Sequence, residues 1–297
     1  MLLSVLQANA AVLDVEANLR TVDRAARQAA QAGADLLLTP ELFPVGYAPL
    51  RLRAELDPAE LPGIRGQLAG IARRNRIALV YSLPAVAEEN AGGSVQGPDW
   101  HISAALVDAT GAELLRYAKV HLFGGEERKA FVAAGEPPAV VNFHGIRTSL
   151  LICYDIEFPE TARAAAARGA ELLLVPTALS EGFEAVPQVL IRARALESQL
   201  NVAYANHCGS EDAYTFGGGS VVAGPDGVIL AEGGHGPDLL FAQVGTEAVR
   251  AAREDVPYLR ERRSELYSAW EAGLAKGPST GDTAGRGDTV TPEHEGD

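Results

Sequence analysis

Short apolar runs alternate along the chain with longer stretches in which apolar residues recur every three or four positions. The short runs predict buried strands, several of which stop at a proline, and the longer stretches predict amphipathic helices. This alternation is typical of an α/β domain. The predicted strands cover residues 2–10, 34–40, 76–84, 170–177 and 202–208, and the predicted helices cover 16–33, 64–75, 158–169 and 186–201.

Other parts of the chain contain paired strand-like runs that are separated by a tight turn. Residues 101–108 and 113–123 flank an Ala-Thr-Gly turn, and residues 139–143 and 146–153 flank a His-Gly turn. Such pairs predict β-hairpins. The last predicted strands, which complete the sheet-forming part of the chain, cover 216–224, 228–234 and 237–244.

One segment is repeated within the chain. GADLLLTPELF, which begins at Gly33, is a near copy of GAELLLVPTAL, which begins at Gly169, and each follows a predicted helix. We interpret the copies as two related halves of a single domain, residues 1–276, whose strands deliver loops to a shared edge. Residues 277–297 hold almost no large apolar side chain, which predicts a flexible C-terminal tail.

Composition and charge argue against some classes of function. Hydrophobic residues make up 47% of the chain and charged residues 22%, as in ordinary soluble domains. The formal net charge of −14 argues against a nucleic-acid-binding or anionic-membrane surface. The N-terminus lacks the basic region of a secretory signal, and the two cysteines do not form a disulfide framework. We therefore expect a cytoplasmic protein with free thiols.

Three chemically active side chains, Glu41, Lys119 and Cys153, follow directly on apolar runs. Each is expected at a rim where a buried strand gives way to a loop, and ligand sites tend to form at such strand ends. A glutamate in a partly dry pocket can take the proton of a thiol, while an ammonium group offsets the charge of a developing oxyanion. Taken singly, the cysteine reads as a small apolar filler, the glutamate as a capping or surface carboxylate and the lysine as a solvated side chain.

The carboxylates that follow Cys153 need an explanation, because nearby negative charge disfavours a thiolate. They are Asp155, Glu157 and Glu160. We expect Asp155 to cap the helix that begins near Phe158, where the helix dipole favours acidic groups, and not to face the thiol.

Several other polar residues have structural interpretations. Arg192 and Arg194 are expected to form ion pairs with Glu197. Cys208 is expected to pack, with a role at the edge of the site as the alternative. His121 is interpreted as a supporting or packing residue. The histidines show no paired metal-ligand spacing and the glycine clusters lack a dinucleotide-binding context, so neither a metal nor a cofactor is expected.

Three separated blocks resemble, in order and spacing, the signature blocks of the nitrilase superfamily of carbon–nitrogen hydrolases. They read TPELFPVGY, YAKVHLFGGEERKAF and LLICYDIEFPE, and the likeness covers roughly residues 1–270. The resemblance implies a four-layer αββα sandwich of the α/β class. It also implies assembly into a homodimer or a higher homo-oligomer.

The resemblance further implies a catalytic set for this chain. Glu41 is expected to act as general base and Cys153 as nucleophile. Lys119 and the backbone N–H of Tyr154 are expected to stabilise the oxyanion.

A second glutamate of the superfamily lies in the loop after the lysine, four residues before an aromatic or apolar position. Glu127, four residues before Phe131, matches it and is expected to orient the substrate or Lys119, with Glu126 as the alternative assignment. Substrate preference is assigned to the loops 42–50, 123–130 and 177–187. The binding residues predicted within those loops are Tyr47, Phe123, Thr177 and Ala178.

The block after the nucleophile reads CYDIEFPE, whereas true nitrilases usually have tryptophan and then glutamate there. The chain is most similar to bacterial amidases acting on linear or R-configured amides, including 5-aminopentanamidases. It departs from them in the extra glycine of HLFGGEE and in the longer spacing at FVAAG, both in the loop over the pocket.

The predicted reaction is therefore hydrolysis of a small aliphatic or ω-amino amide to acid and ammonia, through a thioester on Cys153. The enzymatic alternatives are hydrolysis of N-carbamoyl compounds and hydrolysis of nitriles. A catalytically silent binding or scaffold subunit is the alternative from another class.

Overall fold

The chain is described over residues 1–86 and 99–275 of a computed structural model. It divides into one unit spanning Met1–Leu259 and a second that begins at Arg260. The predicted tail, 277–297, lies outside the described residues, so its flexibility and the domain end at residue 276 stay predictions.

The first sheet combines a parallel centre with antiparallel edges. Strand β1 pairs in parallel with β2, and β2 with β3, while the remaining neighbours are antiparallel. Among the described residues, the spatial order of the sheet is β14 (Asp238–Gln243), β1 (Leu2–Gln7), β2 (Leu36–Leu38), β3 (Ala78–Val86), β4 (Trp100–Val107) and β5 (Glu113–Ala118).

The second sheet repeats this plan, with a parallel centre formed by β7, β8 and β9. A separate hairpin follows β9 and consists of β10 (Cys208–Glu211) and β11 (Tyr214–Gly217). In the described part of the chain, the order of the second sheet is β13 (Ile229–Glu232), β12 (Val221–Ala223), β9 (Asn201–Ala205), β8 (Leu172–Pro176), β7 (Ile146–Leu150) and β6 (Val140–Phe143).

The two sheets pack against each other through β1, β2 and β3 on one side and β8 and β9 on the other. Helices α1 and α3 pack on the first sheet, and α6, which also contacts α5, packs on the second. The predicted four-layer αββα sandwich is confirmed. The helices are α1 (Val15–Gln31), α2 (Pro49–Glu55), α3 (Leu61–Asn75), α4 (Gly124–Ala130), α5 (Pro159–Ala167), α6 (Ile191–Ser198), α7 (Thr246–Asp255), α8 (Tyr258–Glu261) and α9 (Ser264–Ala275).

The sequence explains why the central strands lie where they do. Leu36, Leu37 and Leu38 of β2 are fully buried, because a parallel strand between a helix layer and a second sheet is covered on both faces. Helix α1 buries one face and begins at Asp14, whose carboxylate accepts the N–H of Ala17 at 2.9 Å. Such a cap stabilises a helix by about 1 kcal/mol.

Most of the predicted elements are present, and the differences have local causes. The two predicted hairpins form as β4 with β5 and β6 with β7. The predicted helix over 186–201 begins instead with a π-helical turn, Val186–Leu190, and ends at Ser198, because Gln199 adopts φ +52°. Helix α2 was not predicted, since only Pro49 and Leu52 of its seven residues are buried and its apolar pattern is weak.

The second unit contains α9, in which the ring of Tyr267 lies 5.5 Å from that of Trp270 and 5.9 Å from the guanidinium of Arg262. Within the described residues, none of the helices combines the length and the apolar character that crossing a bilayer requires.

Candidate active site

The ends of four strands from both sheets converge on one site. Glu41 follows β2, Lys119 follows β5, Cys153 follows β7 and Thr177 follows β8. The repeated segments form β2 and β8, which lie in different sheets, and the loops after them meet where the N–H of Glu41 donates to the carbonyl of Thr177 at 3.2 Å. The strand ends thus bring the three predicted catalytic residues into one region.

Lys119 lies at the centre of a buried cluster of charges. Its Nζ is 2.8 Å from Glu41 Oε1, and 2.8 Å and 2.9 Å from Glu127 Oε1 and Oε2. All three side chains are excluded from solvent. Buried charges are tolerated when they are paired and hydrogen-bonded, and this group of one cation and two carboxylates, the Lys119 cluster, is held together in that way.

Glu127 is fixed from two further directions. The hydroxyl of Tyr47 donates to its Oε1 at 2.6 Å, and the N–H of Phe123 donates to its Oε2 at 2.7 Å. Glu126, the alternative assignment, is exposed and accepts the hydroxyl of Tyr214 instead. The geometry favours Glu127 as the second glutamate.

The two oxygens of the Glu41 carboxylate differ. Oε1 binds Lys119, whereas Oε2 receives no N–H or O–H donor among the described residues, and the Cys153 thiol is the donor that lies against the carboxylate. Burial raises the pKa of Glu41 to about 7, with a further contribution from the charge of Glu127, while Lys119 opposes the shift. Burial by itself lowers the pKa of Lys119, but the two carboxylates raise it overall, so the ammonium stays protonated. Glu41 therefore changes its charge near neutral pH.

Cys153 lies beside Glu41, at the first position of a 3₁₀ turn, Cys153–Glu157, that directly follows the β7 segment. It adopts φ +46°, a region that costs non-glycine residues of order 1 kcal/mol, and its side chain is 7% exposed. Burial and the charge of Glu41 raise its pKa well above the ordinary value, against the opposing effect of Lys119. The N–H of Ala178 points at the sulfur and favours the thiolate. The sulfur is therefore a thiol at neutral pH and needs a base before it can react.

Asp155 does not cap α5, so that prediction is wrong. Helix α5 begins after Phe158 without a side-chain cap. The Asp155 carboxylate accepts the hydroxyl of Tyr117 at 2.9 Å, and the N–H and Nδ1 of His121 at 2.9 Å and 3.0 Å. These donors lie at the end of β5 and just after it, on either side of Lys119, so Asp155 ties the segment that carries Lys119 to the turn that carries Cys153.

The structural interpretations of the neighbouring residues hold in part. Arg194 pairs with Glu197 at 3.1 Å and also donates to the carbonyl of Ile156 at 2.9 Å, within the turn that begins at Cys153. Arg192 donates instead to the carbonyl of Gly227 at 2.9 Å. Its predicted pairing with Glu197 is therefore replaced by a backbone contact.

Three aromatic rings form an exposed rim beside the nucleophile. Phe123 lies 5.2 Å from Tyr154 and 6.1 Å from Phe183, in edge-to-face arrangements. Phe123 is 40% exposed and Phe183 is 47% exposed, which is unusual for large apolar side chains. Phe183 belongs to the predicted specificity loop 177–187 but was not singled out from sequence.

The other predicted binding residues lie behind this rim. Tyr47 is buried and binds Glu127, and Thr177 and Ala178 contact Glu41 and Cys153 through backbone atoms. Within the described ranges there is no group of three or more histidine, cysteine or acidic side chains arranged to hold a metal ion.

Sequence reasoning missed His207 and Glu211, which form a buried ion pair beneath Glu41. The signal available in the sequence was a histidine four residues before a glutamate, with Gly209 between them. In the structure Gly209 adopts φ +74°, which fits a tight bend. That signal is weak, because the same spacing is common on exposed helices.

Comparison with known proteins identifies the family. The family model described as carbon-nitrogen hydrolase matches residues 2–254. The chain belongs to the carbon–nitrogen hydrolase family. One relative, called "Hydrolase in pqqF 5'region", from Pseudomonas protegens, is 38% identical over 256 residues, which cover 86% of each chain. An (R)-stereoselective amidase of Pseudomonas sp. is 32% identical over 234 residues, 78% of this chain and 81% of the amidase.

Solved structures place the chain among amidases of the nitrilase superfamily. The amidase from Nesterenkonia sp. AN1 is 45% identical, with a TM-score of 0.82 over 91% of this chain and 96% of that one. A variant of that amidase shows covalent addition of the acetamide moiety of fluoroacetamide at its active-site cysteine. Another variant is a complex with acrylamide.

For a carbon–nitrogen hydrolase, the arrangement around Lys119 offers three chemical capacities. A buried carboxylate has one oxygen without a partner, a thiol lies beside it, and an ammonium group lies within the same dry site. These are the components of nucleophilic catalysis with a general base and electrostatic stabilisation.

Proposed function

We propose that this protein is an amidase that hydrolyses a small linear amide to a carboxylic acid and ammonia, through a thioester on Cys153. One observation carries the proposal. The buried Glu41 carboxylate uses one oxygen to bind Lys119 and leaves the other without an N–H or O–H donor, with the Cys153 thiol beside the carboxylate. A buried acceptor without a partner is costly unless it serves a purpose, and taking a proton is the purpose that this geometry supports.

Acylation begins when Glu41 takes the proton of the thiol and the sulfur attacks the amide carbonyl. The carbonyl oxygen becomes an oxyanion, which Lys119 and the backbone N–H of Tyr154 stabilise. The protonated Glu41 then gives its proton to the leaving nitrogen, the C–N bond breaks and ammonia departs. A pKa near 7 suits a group that must both accept and return a proton at neutral pH.

Deacylation uses one water molecule. Glu41 takes a proton from the water, whose oxygen attacks the thioester carbonyl, and the C–S bond breaks. The sulfur takes the proton back from Glu41 as the acid leaves. Because the pKa of Lys119 is raised, its positive charge stays in place during both half-reactions.

The aromatic rim, the related structures and the net charge support a small acyl group. The Phe123, Tyr154 and Phe183 rim supplies aromatic surface for an aliphatic chain. The related Nesterenkonia amidase variants contain acrylamide or the acetamide moiety of fluoroacetamide, both of which are small. A net charge of −14 also favours an ω-amino amide over an acidic one by electrostatic attraction.

Ammonia release from propionamide and 5-aminopentanamide tests the function. We expect release by the wild type, none above background by Cys153→Ala, and full release by the matched control Cys208→Ala, which removes the other buried cysteine. Equal release by Cys153→Ala and the wild type would remove the proposed nucleophile. No release by the wild type would favour the silent subunit, and release of carbon dioxide with ammonia from an N-carbamoyl substrate would assign the carbamoyl activity instead.

Trapping experiments test the thioester. Hydroxylamine added during turnover is expected to give the hydroxamate, and intact-mass spectra are expected to show the acyl adduct in the wild type but not in Cys153→Ala. Turnover without hydroxamate and without an adduct would exclude the covalent route.

A further inference from the structure

A second buried ion pair lies directly beneath the proposed base. His207 follows β9, Glu211 ends β10, and Nδ1 of the histidine lies 2.6 Å from Glu211 Oε1. The two residues are 0% and 2% exposed. The ring of His207 is also in contact with Phe43 and Phe216, at centroid distances of 5.5 Å and 4.9 Å, so solvent cannot reach it from those sides.

The partners of the two side chains define their charges. His207 Nε2 lies 2.6 Å from the backbone carbonyl of Glu41, which can only accept, so Nε2 must carry a proton. Glu211 Oε1 accepts the N–H of Ala10 at 2.8 Å, and Oε2 accepts the N–H of Tyr47 at 2.9 Å. A backbone N–H donor on each oxygen stabilises the ionised form of Glu211, so we assign the proton between the two side chains to Nδ1 of His207. The pair is an imidazolium and a carboxylate.

The environment of the pair agrees with this assignment. Burial lowers the pKa of His207, but the carboxylate of Glu211 raises it overall above the ordinary value, with a smaller contribution from Glu41. Burial raises the pKa of Glu211, but His207 and the two backbone N–H donors lower it overall. The charged groups that face the imidazolium are therefore both negative.

The pair reaches both carboxylates that bind Lys119. His207 holds the backbone carbonyl of Glu41, whereas Glu211 holds the backbone N–H of Tyr47, whose hydroxyl binds Glu127 at 2.6 Å. A displacement of the pair would therefore move the proposed base and the second glutamate together.

We propose that His207 and Glu211 are positioning residues of this hydrolase, a buried charged pair that fixes Glu41 and Tyr47 through their backbone atoms. This role rests on the proposed function. Stability alone is a weak reason for such a pair, because well-packed apolar residues of similar size often stabilise a fold as well or better.

Kinetics of Glu211→Gln and His207→Gln test the role. We expect kcat to fall about 10- to 100-fold while KM changes by less than about threefold, since a small displacement of a base impairs the transition state more than binding. Asp212→Asn, which removes the exposed neighbouring carboxylate, is the matched control and should retain wild-type kcat. Folded variants with unchanged kcat would overturn the proposal.

Two further measurements complement the kinetics: the first is made on the wild type, and the second does not depend on amide turnover. In the wild type with ¹⁵N-labelled histidine, NMR at pH 6 should show both ring nitrogens of His207 protonated, with His207→Gln assigning the signals. A neutral His207 ring would overturn the charged pair. Alkylation of Cys153 by iodoacetamide should slow about tenfold in folded His207→Gln, because the reaction uses the same base. Unchanged alkylation would refute positioning even if no amide proved to be a substrate.

Discussion

The Lys119 cluster, which includes Glu41, and the His207–Glu211 pair, which contacts the backbone of Glu41, are two neighbouring buried charge groups that differ in one respect. In the pair, every nitrogen and carboxylate oxygen has a partner. In the cluster, Glu41 Oε2 has none. The other buried side-chain atoms without partners in the described part of the chain are nitrogen, hydroxyl or amide atoms of Arg65, Ser82, Ser198 and Gln199. In the proposed mechanism, this ionisable acceptor in a dry site is the group that takes the thiol proton.

Two buried glutamates show the same contrast. The pKa of Glu41 is raised and that of Glu211 is lowered, although burial by itself raises both. Glu211 receives three N–H donors and faces a cation, whereas Glu41 receives one ammonium and faces the second carboxylate of Glu127. Local donors, and not depth, decide the sign of each shift.

Of the substitutions considered, Lys119→Met should have the largest effect on stability and activity. It leaves Glu41 and Glu127 buried without a cation, so we expect a loss of about 3–5 kcal/mol in the free energy of unfolding at pH 8. Ammonia release should fall at least about 1000-fold, because charge stabilisation of the oxyanion is lost. Chemical denaturation and steady-state assays measure the two effects. Lys129→Met, at an exposed position of α4, is the control, and a Lys119→Met protein as stable and as active as that control would contradict the cluster's role.

Glu127→Gln tests the interaction between the two carboxylates of the cluster, because it removes one charge and keeps the size of the side chain. Since the charge of Glu127 raises the pKa of Glu41, the acid limb of kcat/KM should move to lower pH. We also expect kcat to fall about 10- to 100-fold as Lys119 loses a carboxylate partner. A pH–rate profile measures both, with Glu126→Gln as the adjacent control. An acid limb that stays in place would show that the two carboxylates do not interact.

The pH dependence of kcat/KM in the wild type should report the ionisation of Glu41 directly. Only ionised Glu41 can take the thiol proton, and its pKa is about 7, so kcat/KM should decrease about tenfold per pH unit below that value. The rate of Cys153 alkylation should follow the same curve, since burial raises the pKa of the thiol and keeps it protonated. An alkylation rate that is independent of pH between 5 and 8 would instead indicate a preformed thiolate.

Sequence patterns indicated the residues of the Lys119 cluster but not the His207–Glu211 pair that contacts it. Glu41, Lys119 and Cys153 each end an apolar run, so strand-end reasoning and the signature blocks indicate them together. The partners of Asp155 and His207 come from segments far away in the chain. A capping prediction for Asp155 used only its neighbours in sequence, whereas its donors are contributed by β5 and the residues after it.

The sequence likewise predicts some features of the fold and not others. The strands and the longer helices follow from hydrophobic periodicity, and the meeting of the loops after β2 and β8 is suggested by the repeated segment. Phe123 and Tyr154 of the aromatic rim were named from the sequence, but Phe183 was not, because an exposed phenylalanine in a loop has no distinctive pattern until its ring contacts are known.

Stability measured against pH gives the smallest of the expected effects, and opposite signs for the two glutamates. The raised pKa of Glu41 means that the folded protein binds more protons than the unfolded chain between the ordinary value, 4.5, and about 7. Wild-type stability from this group therefore decreases as pH rises through that window. Glu41→Gln should gain stability relative to the wild type as pH rises, by at least about 1 kcal/mol or a few degrees in Tm at pH 8.

Glu211→Gln is the matched comparison for Glu41→Gln. The pKa of Glu211 is lowered, so its contribution is present above the ordinary value of 4.5 and is lost as pH falls through the lowered one. At pH 8 the substitution should therefore lower Tm, where Glu41→Gln raises it. Thermal unfolding of both variants and the wild type at pH 5 and pH 8 measures the difference. If both substitutions changed Tm in the same direction at pH 8, the opposite pKa shifts assigned to Glu41 and Glu211 would be wrong.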